Sequence, residues 1–286
     1  MATQHAEDRA QEPDGRRPPT ALAIAAHPDD IEFMMGGTLA LLAERGWDTH
    51  YMTLADGYVG SSVHGTQDIT QHRALEAQRG AAVLGASWHP CLVGDCEIVY
   101  SVDLLRRVTA VVREVRPSVV LTQAPDDYME DHIWTSHLVA SACFNRNMPN
   151  FAALPPREAY PDDVTVYHAQ PHGLHDLLRR RIFPGIYVDT STVQERKREA
   201  LGCHETQNHW LNTTQGFGSL IDEVDEMSRT VGEMSRRYGL AEGWRRHSPL
   251  GFSAAPTDPL TAALSDVAFV DDDYETALVQ PPFHRS

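Results

Sequence analysis

Cysteine is scarce in this chain, and long apolar runs are missing altogether. The four cysteines, Cys91, Cys96, Cys143 and Cys203, never fall at the C-x-x-C spacing of a zinc ribbon or a redox pair. They read as free thiols in a reducing cytoplasm, where structural disulfides are rare. No apolar stretch approaches the ~20 residues that a membrane helix needs. The amino-terminal segment is polar and lacks the apolar centre of a secretory signal. Basic residues are also in the minority: 24 Lys and Arg stand against 40 Asp and Glu, for a formal net charge of −16. A surface that acidic repels phosphate backbones and anionic headgroups. Neither nucleic acid nor a membrane is an expected partner, and the expected location is the cytoplasm. Two signatures of catalysis and cofactor binding are absent too. No G-x-G-x-x-G turn follows a strand and no G-x-S-x-G elbow occurs, which argues against dinucleotide binding and serine hydrolysis.

What the chain does have is a regular alternation of short apolar runs and amphipathic segments. Residues 1–19 are charged and end in prolines, so a mobile tail is expected there. The run from Ala21 to Ala26 suits a buried strand, and Ile31 to Arg45 a helix closed by Gly46. Further strands are expected at 49–54, 88–93 and 118–122, and helices at 66–84, 102–115 and 130–145. Strand and helix in alternation imply right-handed crossovers around a parallel sheet, an α/β fold. Beyond it, strands are expected at 164–168 and 185–188, and helices at 192–206 and 220–238. We read residues 20–252 as one catalytic domain. Residues 253–286, rich in Asp, Ala and Pro, read as an extension that forms an extended tail or a partner-facing arm.

Histidine is plentiful, with fifteen in the chain, and imidazole is the side chain best suited to metals and to proton transfer near neutral pH. One histidine stands out. His27, Pro28, Asp29 and Asp30 follow the first strand directly, and in open α/β sheets ligands bind beyond the carboxyl ends of strands. A catalytic zinc takes three protein ligands and keeps a position open for water. His27 and Asp30 supply two. The acidic turn after the fourth strand, Asp126 to Asp131, leads into His132, which supplies a third. Borderline imidazole and hard carboxylate together suit zinc.

The stretch from His27 through Ile31, Glu32, Phe33, Met34, Met35, Gly36 and Gly37 to Thr38, with Asp131 and His132 further along, resembles the LmbE-like (PIG-L) de-N-acetylases. Weaker matches are Arg73 with Glu76, Gly94 with Asp95, and the segment Lys197 to Gln207. The resemblance implies a Rossmann-like (lactate-dehydrogenase-like), mostly parallel sheet flanked by helices, with one divalent metal per chain, normally Zn2+. It implies His27, Asp30 and His132 as metal ligands and Asp29 as general base. Asp131 is then a catalytic support that orients His132 or a neighbouring histidine, and His204 a contact for the oxyanion or leaving group. Arg73 and Asp95 resemble positions that touch sugar hydroxyls. The expected reaction removes an N-acetyl or other N-acyl group from an amino sugar or glycoside-like small molecule. A homo-oligomer is also compatible, trimers and hexamers being common in the family.

One departure stands out. Many members carry a histidine where this chain has Met129, and a thioether neither gives nor takes a proton usefully. Two other readings therefore stay open: a relative without catalysis that binds a small ligand, and an amidase for a non-sugar amide.

Overall fold

Thr20–Ala25 forms β1, and every residue from Ala21 on is buried, as an unbroken apolar run requires of a strand covered on both faces. The computed structural model describes residues 18–214 and 219–279; the tail expected over 1–19 lies, up to residue 17, outside the described residues. The chain continues through α1 (Asp30–Met34), α2 (Gly36–Glu44), β2 (Asp48–Thr53), α3 (Thr66–Leu84), β3 (Ser87–His89), α4 (Val102–Val115), β4 (Val119–Thr122), α5 (Glu130–Asn145) and β5 (Thr165–Ala169). These five strands pair in parallel in the order β3-β2-β1-β4-β5. The chain winds outward from β1 on one side and then crosses to β4 on the other. The carboxyl ends of β1 and β4 therefore flank a crevice, the place where such sheets bind ligands.

The second part is antiparallel. It comprises β6 (Ile186–Asp189), α6 (Gln194–Gly202), α7 (Glu205–Thr214), α8 (Leu220–Ser235), β7 (Ala241–Arg246), α9 (Pro259–Ala263), β8 (Ala268–Val270) and α10 (Asp272–Val279). Strand β7 adds to β5, β6 to β7 and β8 to β6, all antiparallel, to give one eight-stranded sheet. The strands β7 and β8 were not expected from the sequence. The extended tail expected after residue 253 is also corrected over 259–279. Leu260 and Leu264 are fully buried in the main core and β8 pairs with β6, so this segment is packed by its own apolar residues.

Helices cover both faces. Ala21, Ala23, Tyr51, Tyr167 and Trp244 pack with α1, α2, α3 and α6, while Leu22, Ile24, Val120 and Val166 pack with α4 and α5. The single helix expected over 31–45 is two, because Met35 (φ −136°) leaves the helical region. Glu242 of β7 accepts from the backbone N–H groups of Gly37 (2.8 Å) and Thr38 (2.7 Å), so a carboxylate caps the restarted helix. Lys197 neutralises that buried carboxylate at 2.7 Å. A Cβ at Gly37 would lie 2.5 Å from Thr190 Cγ2, so only glycine admits this approach. Likewise the helix expected over 192–206 breaks at Cys203 and His204, between α6 and α7. Among the described residues no helix is long and apolar enough to cross a membrane.

Candidate active site

The turn after β1 is shaped by its own backbone. Asp29 sits at φ 108°, ψ −28°, a left-handed conformation that side chains other than glycine rarely adopt. Such strain persists where surrounding structure over-determines it, and that is often a functional site. Here Asp30 Oδ2 accepts from His27 N at 2.8 Å and from Gln123 Nε2 at 3.0 Å. Gln123, just past β4, also accepts from Ala26 N at 3.0 Å. One amide thus ties the ends of the two strands that flank the crevice.

Three side chains converge above this tie. His27 Nδ1 lies 3.4 Å from Asp30 Oδ2, and His132 Nε2 lies 3.4 Å from Asp30 Oδ1. One ligand atom from each falls within 4.8 Å of the others, and all three residues are buried. The remaining ring nitrogens are held from behind. His132 Nδ1 meets Asp127 Oδ1 at 3.0 Å, and His27 Nε2 meets Asp131 Oδ2 at 3.1 Å and Asp95 Oδ1 at 3.3 Å. Carboxylates behind ligating imidazoles fix their tautomer and orientation, as at many zinc centres. His27, Asp95 and Asp131 form a second convergent group. Its carboxylates already accept backbone N–H groups from Val59 (3.2 Å) and Cys96 (3.1 Å). In the first group His27 N and Gln123 Nε2 engage only Asp30 Oδ2, so Oδ1 remains toward His132 Nε2, and two imidazoles with one carboxylate form a donor set that could hold a zinc ion.

Charge is strongly coupled here. Burial raises the pKa of Asp29, the Asp30 carboxylate adds to this, and the result is about 7. Burial opposes ionisation of Asp30 as well, but His132 and His27 outweigh it and hold this carboxyl well below the usual range. Burial disfavours charge on both rings, yet Asp131, Asp30 and Asp95 raise the pKa of His27, and Asp30 with Asp127 raises that of His132. One neighbour of a cation site is therefore kept charged and the other is poised near neutrality.

His27, Asp29, Asp30, Arg73, Asp95 and His132 all line one cavity of about 370 Å³, together with Tyr128, Met129, His172 and Trp210. Arg73 makes no pair with Glu76, which instead accepts from Thr206 N (3.0 Å) and Oγ1 (2.6 Å). Its Nε and Nη2 are buried without an acceptor. Asp131 stands behind His27, the neighbouring histidine, and not behind His132. His204 is outside the cavity lining, and its Nε2 lies 2.8 Å from Glu32 Oε1. Glu32 is fully buried and also accepts from Tyr51 at 3.0 Å, so its charge captures the ring.

The profile of the GlcNAc-PI de-N-acetylase family, PIG-L, matches residues 22–143. The diacetylchitobiose deacetylase of Thermococcus kodakarensis is 30% identical over 195 residues, 65% of this chain and 69% of that protein. The chain belongs to the PIG-L de-N-acetylase family. A 4-oxalmesaconate hydratase of Pseudomonas putida is also 30% identical, over 66% of this chain and 74% of that protein. Among solved structures, the 4-carboxy-2-hydroxymuconate hydratase of Pseudomonas putida aligns at TM-score 0.68 and 24% identity, over 84% of this chain and 99% of the other. The N,N'-diacetylchitobiose deacetylase of Pyrococcus horikoshii aligns at 0.67 and 23%, over 84% and 88%. Both likenesses concern the fold.

In this PIG-L protein, sequence reading missed Asp127, Gln123, Tyr128 and His172. Asp127 was visible as part of the acidic turn, but nothing local marks it as the residue that turns back on His132. Tyr128 stands edge-on to His132 at 5.5 Å and tilted against His172 at 5.9 Å. Met129 lines the cavity where many PIG-L members carry a histidine, and His172 reaches the same cavity from beyond β5.

Proposed function

We propose that the chain is a zinc-dependent hydrolase that removes an acetyl or other acyl group from the nitrogen of an amino sugar or glycoside-like small molecule. The observation that carries this reading is the convergence of His27, Asp30 and His132 on one point of the cavity, with Asp29 in the same wall. When bound by those three residues, zinc supplies positive charge that acidifies water and draws electrons from the acyl oxygen. Asp29 takes the proton of the attacking water, a task that suits a carboxylate with a pKa of about 7. It then delivers that proton to the departing nitrogen as the C–N bond breaks. Asp131 and Asp127 hold the two imidazoles in place. Arg73 and Asp95 receive hydroxyl groups of the substrate. Among the described residues His172 supplies the only other imidazole in the cavity lining, and we assign it the support that a histidine at position 129 gives elsewhere. The strand order β3-β2-β1-β4-β5 supports reading the first half as Rossmann-like.

A second reading is hydration of a carbon–carbon double bond in an unsaturated acid. It is favoured by the hydratase relative and by Arg73 in the cavity wall, whose Nε and Nη2 have no acceptor, since a guanidinium is a fitting anchor for a carboxylate.

Primary amine released from N-acetylglucosamine and N,N'-diacetylchitobiose, measured with a fluorogenic amine reagent, tests the choice. The expected result is release that chelation abolishes and zinc restores. Intact amides after prolonged incubation with zinc-loaded protein, while the ultraviolet absorbance of 4-oxalmesaconate decays, would replace the first reading by the second.

A further inference from the structure

The segment between β5 and β6 ends in a braced hairpin with an exposed tip. Leu174 is buried at its base, Ile182 N donates to Leu174 O at 3.0 Å, and His175 bridges to Arg181. At the turn Asp176 Oδ1 accepts from Leu178 N and Arg180 N, each at 2.8 Å. The hairpin is thus held in shape by its own hydrogen bonds. It nevertheless presents Leu177, Leu178 (73% exposed) and Phe183 to solvent, together with Arg179, Arg180 and Arg181. Three consecutive exposed arginines are out of keeping with a chain whose net charge is −16.

Helix α10 leaves the same end of the same strand pair. Ile186 of β6 pairs with Val270 of β8, so the hairpin enters β6 where α10 departs from β8. Asp271 N donates to Gly185 O at 2.8 Å across that junction. The helix has the opposite character. Asp272, Asp273 and Glu275 fill its first turn, and Leu278 and Val279 (82%) are exposed at its end. None of its eight residues is buried. A helix that short is marginal by itself and depends on the packing of one face. Among the described residues, neither the three arginines nor the three acids belong to an ion pair, whereas Arg245 and Arg246 of β7 pair with Asp126 and Asp258.

One end of the sheet thus carries a basic, apolar hairpin beside an acidic, apolar helix, each without a charge partner in its own chain. A two-fold axis between two such faces sets each hairpin against the other copy's helix, so arginine meets carboxylate twice and apolar side chains meet apolar ones. An anionic membrane would attract the arginines but repel the helix beside them. The complementarity selects a second copy of the chain.

We propose that residues 174–183 and α10 form a self-complementary face on which two copies of this chain associate about a two-fold axis. The contact is independent of the reaction assigned to the catalytic cavity.

Charge reversal tests it, by sedimentation equilibrium of the full chain over a range of concentrations, with circular dichroism as the check on folding. Wild-type protein is expected to assemble from an even number of copies. A chain carrying Arg179→Glu, Arg180→Glu and Arg181→Glu should show half that number, and so should one carrying Asp272→Arg, Asp273→Arg and Glu275→Arg. Like charges then face one another across the axis, which should weaken association on the order of 100-fold. An equimolar mixture of the two variants should recover the wild-type mass, since each hairpin again meets a helix of opposite charge. Leu177→Ser with Leu178→Ser, at positions whose side chains the fold leaves in solvent, should also halve the number of copies. Monomeric wild-type protein, an unchanged mass in the variants, or no recovery in the mixture would overturn the proposal. So would monomers that bind vesicles of anionic phospholipid through the arginines, which would make the hairpin a membrane contact.

Discussion

Asp127 Oδ1 stands 3.0 Å from His132 Nδ1, and the carboxylate is fully buried directly behind the ring. The same residue accepts from Met129 N at 3.3 Å, so the turn that precedes α5 folds back to brace the first histidine of that helix. His132 is thereby presented with Nε2 toward Asp30, which lies 3.4 Å away. Removing a carboxylate behind a metal-bound imidazole commonly costs about 10–100-fold in metal affinity. Asp127→Ala should therefore weaken zinc binding by that order without touching the cavity wall. Competition with a chromogenic chelator measures it, and unchanged affinity would mean that the brace is only structural.

Removal of a ligand should be more severe. Wild-type protein purified without a polyhistidine tag is expected to hold about one zinc per chain, in keeping with a three-residue site. His27→Ala and His132→Ala should lose both metal and activity, read by elemental mass spectrometry and amine release. A metal-free His132→Ala protein with full activity would refute the proposed chemistry.

Asp29 separates catalysis from binding. It lines the cavity beside the ligand set, and its strained backbone aims it there rather than at a helix cap. Asp29→Asn is expected to keep its zinc and lose about 10²–10⁴ in kcat, the usual worth of a positioned base. Loss of metal in this variant would move Asp29 from base to ligand.

Met129 gives a gain-of-function experiment. If the thioether marks a lost proton-handling position, Met129→His should raise kcat/KM for amide hydrolysis by several fold and alter its pH profile. Identical profiles would show that another group, His172 in our reading, already does the work.

His168 makes a prediction about stability. Burial lowers its pKa to about 4, its ring being held against Gln123 O at 2.9 Å and His247 Nδ1 at 2.9 Å. An unfolded histidine titrates near ~6.5, so between there and about 4 the unfolded chain binds the extra proton. The stabilisation is complete above ~6.5 and is lost as pH falls toward about 4, by an amount of order ~3 kcal/mol. Denaturant unfolding at pH 7 and pH 4.5 should show a smaller difference in His168→Gln than in the wild type.

The parts of the site legible in the sequence are those joined by a few residues of chain. His27 and Asp30 share one turn, so the backbone alone brings them together, and strand periodicity puts that turn at the carboxyl end of β1. His132 was legible because β4 ends just before it and neighbouring parallel strands end at the same side of the sheet. Arg73 and Asp95 could be named from their motifs. Whether Arg73 faces solvent, pairs with Glu76 or enters the cavity depends on α7, whose Thr206 occupies Glu76 instead.

Apolar periodicity, helix breakers and the close-set polar residues of one turn are local properties, and from them the sequence by itself determined the α/β class, the parallel half of the sheet and the turn that brings His27 and Asp30 together. Only the tertiary structure decided the rest, because it depends on charges far apart in the chain finding one another in a medium where an unpaired charge is costly. From within β7 the Glu242 side chain caps α2, the second half of a segment that reads as one continuous helix. Glu32 draws His204 away from the cavity, while Asp131 crosses to His27 and leaves His132 to Asp127. Glu242, Glu32 and Asp131 each reach a partner more than 100 residues away, which no local window of sequence contains, whereas Asp127 and His132 lie in one turn and only the fold of that turn brings them together.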